Sequence, residues 1–156
     1  MLIHAQILFI TICLIATFVA GEFSYELCSL NERENVIIHD IKVLPDPIVK
    51  DKTVAIHVNA TVLADIQHDA YIVGEARFMF IKFPIRETRI DRFLELPIKR
   101  GSYSESRMLD NEELHDLPPG HYDVHLEGRQ RPSSTNSGLL FCVDFQVDLA
   151  DYRIEL

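Results

Sequence analysis

The chain has 156 residues, of which 47% are apolar and 25% charged, and its formal net charge is -9 at pH 7. That length suits one domain with a substantial core, because a chain of about 150 residues buries close to 70% of its unfolded surface. The acidic balance argues against nucleic acid, which calls for a basic stripe, and against electrostatic attachment to anionic lipid at neutral pH.

The first element in chain order is the run MLIHAQILFITICLIATFVA over residues 1–20, which carries no charged side chain. So apolar a stretch is a secretory signal or a membrane span. Gly21, Glu22, Phe23 and Ser24 break it, Val19, Ala20 and Gly21 offer a cleavage site, and no Lys/Arg cluster follows as a stop-transfer flank. The expectation is a signal peptide over residues 1–21 and one domain over residues 22–156, outside the cell or in a lumen; a retained anchor is the alternative. Beyond the leader only Cys28 and Cys142 remain, and in an oxidising compartment two thiols most simply form one disulfide, with two unpaired thiols as the other possibility.

From residue 30 onward the pattern is strand-like. Ile37, Ile41 and Val43 suggest a strand that stops at Pro45 and Pro47. Val54, Ile56, Val58 and Val62 alternate with Thr53, Ala55, His57, Asn59 and Thr61, a period of two with one apolar face. Residues 70–83 are denser: Ala76, Phe78 and Phe80 fall on one side and Met79, Ile81 and Phe83 on the other, which reads as one strand covered on both faces, or one whose second face meets something apolar. Residues 88–96 read as a weaker strand, 100–116 as a polar loop, and 110–115 as a place for a short turn. After Pro118, Pro119 and Gly120, the residues Tyr122, Val124 and Leu126 alternate with His121, Asp123, His125 and Glu127. Leu139, Phe141, Val143, Phe145, Val147 and Leu149 form the longest apolar face, and residues 128–138 before it read as a long hairpin tip. Many short strands and no helical stripe predict an all-β, antiparallel sandwich.

Chemistry-bearing motifs are few. Asn59-Ala60-Thr61 is a glycosylation sequon whose Asn59 falls on a polar strand face. His121 and His125 would share a helix face as zinc ligands, but on a strand they are solvated surface, as is His57, and no metal site is expected. Glu112, Glu113 and Asp110 read as a solvated loop, not acid–base machinery. No nucleophile elbow or phosphate loop is present, so no enzyme is expected. The chain holds nine Phe and five Tyr, with Phe9 and Phe18 in the apolar leader; the others fill a solid core, or they line a gap between the sheets.

The motifs IKVLPDPI (41–48) after Cys28, the sequon strand, FIKFP (80–84), KRGSYS (99–104), LPPGHY (117–122) and LFCVDF (140–145) occur in that order. Together they resemble the ML lipid-recognition family over most of residues 25–150. LPDPI (44–48) and IKFP (81–84) are most similar to its ganglioside activator branch. The resemblance implies an immunoglobulin-like β-sandwich with a hydrophobic cavity between its sheets and a Cys28–Cys142 disulfide. The additional cysteines of many relatives are absent, so residues 84–116 must be held by packing, and the stretch 108–118 is acidic and lacks Trp. The reading is a secreted, non-enzymatic lipid-binding or lipid-transfer protein without a cofactor. Its ligand would be a phospholipid, glycolipid, fatty acid or sterol, passed on to a lipid-processing enzyme or receptor, with only transient membrane contact. Extracellular release is expected, with the lysosomal lumen as the alternative. Ile56, Val58, Phe78, Phe80, Phe93, Val124, Leu126, Phe141 and Phe145 are expected to line the cavity, and Lys82, Arg86 and Tyr103 its mouth. The competing reading is a secreted immunoglobulin-like interaction module with a solid core that modulates a receptor.

Overall fold

A computed structural model describes residues 22–28, 30, 32–109, 114–131 and 138–151. The expected signal peptide, residues 110–113 and the hairpin tip 132–137 lie outside the described residues. In chain order the strands are β1 (Ser24–Leu27), β2 (Val36–Leu44), β3 (Ile48–Val49), β4 (Val54–Val62), β5 (Tyr71–Phe78), β6 (Ile81–Arg89), β7 (Gly101–Leu109), β8 (Gly120–Arg129) and β9 (Leu139–Ala150). One sheet, A, has the order β1-β9-β8-β5-β6, with β3 parallel to β9; the other, B, has the order β2-β4-β7. All pairings except that of β3 are antiparallel. The all-β sandwich expected from the alternating pattern is therefore present.

β4, β8 and β9 form where the period-two pattern predicts them. Four of the expectations change. Residues 70–83 are a hairpin, not one strand: the chain reverses at Met79 and Phe80, with Met79 at φ 54°, and Phe78 pairs with Ile81. The reversal brings Ile81 and Phe83 back to the side of Phe78 and Ala76. The weak strand at 88–96 is the end of β6 followed by a 3-10 turn, Ile90–Arg92. The polar loop at 100–116 is largely β7. In β2, a register shift between Ile38 and Asp40 puts Ile37 and Ile41 on opposite faces.

The two sheets come closest where β2 meets β9. There the Asn35 backbone N–H donates to the carbonyls of both Leu139 (3.2 Å) and Leu140 (3.1 Å), and the Cys142 N–H donates to the Glu34 carboxylate at 3.1 Å. The Asn35 side-chain nitrogen is buried in this seam with no partner. Further along the same edge the Tyr25 hydroxyl donates to the His39 carbonyl at 3.4 Å, and the chain leaves β2 through Pro45 and Pro47 to place β3 against β9. One long side of the sandwich is thus tied shut. Opposite it lie β6 and β7, each paired on one side only.

The largest buried cluster sits at one end, and Val43, Val54, Tyr122 and Leu149 are buried toward the other. Val36, Ala60, Val62, Ile66, Ala70, Ile90, Leu96 and Leu140 form a single cluster. Ile66 and Ile98 exchange both backbone hydrogen bonds (2.9 and 3.1 Å), fastening the 90–100 segment across that end. This segment, which carries no cysteine, is held by packing.

Cys28 and Cys142 are disulfide-bonded across a separation of 114 residues. Closing so long a loop stabilises by up to about 4 to 5 kcal/mol in the chain-entropy model. Replacing both cysteines by alanine is expected to destabilise the fold by about 2 to 5 kcal/mol in denaturant titrations. A midpoint equal to that of the parent would show that the seam's hydrogen bonds alone set the stability of this edge.

Candidate functional site

Register decides which side chains face the space between the sheets, because directly paired residues point the same way. In sheet A these are Tyr122, Val124 and Leu126 of β8, opposite Val147, Phe145 and Val143 of β9, with Phe78, Ala76 and Gly74 of β5 on the other side. In sheet B they are Val54, Ile56, Val58, Ala60 and Val62 of β4. Ala60 and Val62 at the clustered end are buried, as are Val54, Ala76 and Tyr122 toward the other end. In the middle, Ile56, Val58, Val124, Leu126 and Phe145 are only half-buried although they sit on interior strands. In a sandwich packed to native density, such positions would be sealed by the opposing sheet. Their residual exposure means that the sheets do not interdigitate fully here.

Ile56, Val58, Phe78, Val124, Leu126, Phe141 and Phe145 all face inward. Phe141 lies flat over Gly128, where an added Cβ would stand 2.2 Å from its ring. Phe78 stacks on Tyr122 at 4.8 Å, and Phe83 meets the same ring edge-on at 6.4 Å. The Tyr122 hydroxyl donates to the Pro118 carbonyl at 2.7 Å, and burial raises its pKa.

Four expected positions are corrected. Phe80 is 94% exposed at the β5–β6 turn, because the reversal there throws it out of the sheet. Phe93 follows the 3-10 turn at the clustered end and is 48% exposed. Lys82 points to the outer face of sheet A, paired with Glu75 at 3.0 Å, so it is not at a mouth between the sheets. Tyr103 faces inward but packs on the buried cluster, its hydroxyl donating to the Lys99 carbonyl at 2.6 Å. Arg86 is exposed on the edge strand β6, and Asn59 is exposed on the outer face of β4. Sequence reasoning missed Phe83 and Ile85, whose side of the sheet depends on a turn without Gly, Asn or Asp. It also missed Glu105 and Arg107 on β7.

Two concavities lie outside the sandwich. One, of about 350 Å³, crosses the outer face of sheet A from Ser24 to Lys82, and the other, of about 390 Å³, lies beside His68, Tyr71 and Arg89. Charged and polar residues make up most of the lining of both, unlike the interior. The first carries a network: Gln146 donates to Asp123 (3.0 Å), Arg77 donates to the other Asp123 oxygen (2.7 Å), and His121 pairs with Asp148 at 2.6 Å. His125 bridges Asp144 (2.6 Å) and Glu127 (3.1 Å), and Glu127 is also held by Arg129. The histidines of β8 are therefore partnered across strands, beyond the plain solvation expected of them. Cys28, His125 and Cys142 bring their ligand atoms within 4.8 Å of one another, but both sulfurs are committed to the disulfide and offer no thiolate.

Residues 22–149 match the ML domain family. The chain belongs to that family. Two phosphatidylglycerol/phosphatidylinositol transfer proteins are similar to this ML domain. That of Candida albicans is 26% identical over 111 residues, covering 68% of this chain and 57% of the relative. That of Eremothecium gossypii is 25% identical over 105 residues, covering 62% and 48%. The chain spans about half the length of these relatives. Among solved structures, a Niemann-Pick type C2 protein from Japanese carpenter ant superposes with a TM-score of 0.57 at 14% identity, covering 81% of this chain and 99% of that one. The C-terminal domain of wzt superposes at 0.51 with 11% identity, covering 85% and 81%. At such identities the likeness is one of fold.

The ML domain's outer face makes its stability depend on pH. Burial opposes charging of His125, but Glu127 and Asp144 outweigh it and raise its pKa above the usual histidine value. A raised folded-state pKa contributes stability that is present below the unfolded value of about 6.5 and lost as pH rises through the folded value. His125→Gln is therefore expected to lower the melting temperature more at about pH 5.5 than at about pH 8.5. An equal loss at both would remove the ion-pair account of this histidine.

Proposed function

We propose that this protein is a secreted, non-enzymatic lipid carrier that holds acyl chains or a sterol between its sheets. The observation that carries the reading is the half-buried apolar midsection formed by Ile56, Val58, Val124, Leu126 and Phe145. Apolar surface left open to water is what a hydrocarbon chain would cover, at roughly 0.8 kcal/mol per methylene before the costs of binding. Phe78 and Phe141 extend that lining. The two relatives, phosphatidylglycerol/phosphatidylinositol transfer proteins, support the same class of ligand. Ganglioside as cargo rests only on the LPDPI and IKFP segments.

Removal of the apolar leader, glycosylation at Asn59 and release outside the cell belong to the same proposal, with a lysosomal lumen as the other destination. Membrane contact is transient. Leu44, Met79, Phe80, Ile81 and Met108 are all exposed at the end of the sandwich away from the buried cluster, where a bilayer surface would cover them. With a net charge of -9, attraction to anionic lipid does not hold the protein there. Handing lipid to an enzyme or receptor would complete the cycle.

Displacement of a fluorescent fatty acid by unlabelled acids of increasing length tests the reading. Affinity is expected to rise by up to about fourfold per added methylene until the space is filled. Val124→Glu, with its disulfide intact, should abolish uptake. A protein that excludes every probe would favour the solid interaction module.

A further inference from the structure

The inward face of β7 breaks the rule that the other strands obey. Its register with β4 pairs Tyr103 with Ala60, Glu105 with Val58, Arg107 with Ile56 and Leu109 with Val54. Val58 and Tyr103 pack against the buried cluster, which fixes this as the inner side. Ser104 and Ser106 occupy the outer side, where they meet His57 at 3.5 and 2.8 Å. Two charged residues, Glu105 and Arg107, are thus aligned with the half-buried Val58 and Ile56. Both side chains are exposed, and neither has an ion pair or hydrogen bond among the described residues. Arg77, Arg89 and Arg129, by contrast, are each ion-paired.

We infer that Glu105 and Arg107 form a headgroup site at the open edge, in which Arg107 takes the phosphate of a phospholipid whose acyl chains lie between the sheets. This rests on the carrier function proposed above and adds the residues that would hold the headgroup. β7 is the free edge of sheet B, on the side away from the β2–β9 seam. An acyl chain lying against Ile56 and Val58 that leaves by this edge brings its first polar atoms to β7. A guanidinium presents a planar fork that matches phosphate oxygens, and it needs no partner from the protein to do so. Glu105, about 7 Å away along the strand, accepts hydrogen bonds from the hydroxyl or ammonium of the same head. Inward charges on edge strands also deter edge-to-edge association, and the experiment separates that role from binding.

The test uses the purified full-length protein and competes a fluorescent lipid with phosphatidylglycerol, with diacylglycerol of the same acyl chains, and with glycerol phosphate. Arg107→Gln is expected to weaken phosphatidylglycerol by about tenfold or more while leaving diacylglycerol nearly unchanged. Lys42→Gln, which removes an exposed charge on the outer side of β2, should change neither. Glycerol phosphate alone should not compete. Equal effects of Arg107→Gln on both lipids, or none on either, would overturn the headgroup site and leave the carrier function standing. So would a variant that binds like the parent but self-associates on gel filtration, which marks the charges as edge protection. Competition by glycerol phosphate as strong as by the lipid would assign the site to free phosphate. A parent protein that takes up neither lipid overturns the carrier function, and the headgroup site falls with it.

Discussion

The backbone seam between β2 and β9 is the constraint from which the rest of the structure follows. Stacked sheets ordinarily sit about 10 Å apart, with side chains filling the space. At Asn35 the two sheets instead bond backbone to backbone, through one N–H shared by the Leu139 and Leu140 carbonyls. The Glu34 carboxylate reinforces the same point, and beside it the Cys28–Cys142 disulfide ties the end of β1 to β9 within sheet A. With the crossover through Pro45 and Pro47 holding the far end of that edge, the sandwich is bound along one side like a book. Its free margins are β6 and β7.

That geometry explains why burial is uneven. Near the seam and under the 63–70 and 90–100 segments, side chains such as Leu139, Leu140 and Ala70 are sealed completely. In the midsection, large apolar residues on interior strands such as Ile56, Leu126 and Phe145 keep part of their surface in water. A cluster at one end supplies stability while the midsection remains available. The polar network on the outer face of sheet A, running through Gln146, Asp123, Arg77 and the two histidines of β8, ties β5, β8 and β9 together without contributing to the interior.

Strands whose inner and outer faces differ in polarity were legible in the sequence: β4, β8 and β9 each show the period of two. The β5–β6 reversal was not, because Met79 and Phe80 carry no turn chemistry, and the face assigned to Phe80 was wrong in consequence. β7 escaped notice because Glu105 and Arg107 occupy positions where an apolar residue would have completed the alternation. The bulge in β2 separated Ile37 from Ile41, and the partners of His121 and His125 are cross-strand neighbours that no local pattern announces. The candidate site was readable where apolar lining alone defines it, at Ile56, Val58, Val124, Leu126 and Phe145, and unreadable at its charged margin.

The account stands or falls on whether the unsealed interior is a place where hydrocarbon resides. Native mass spectrometry of the protein, purified gently without detergent from the cells that make it and followed by lipid extraction, measures this most directly. A population carrying one lipid per chain, released on denaturation, is the predicted result. A bare chain under conditions that preserve lipid on a known carrier would contradict it.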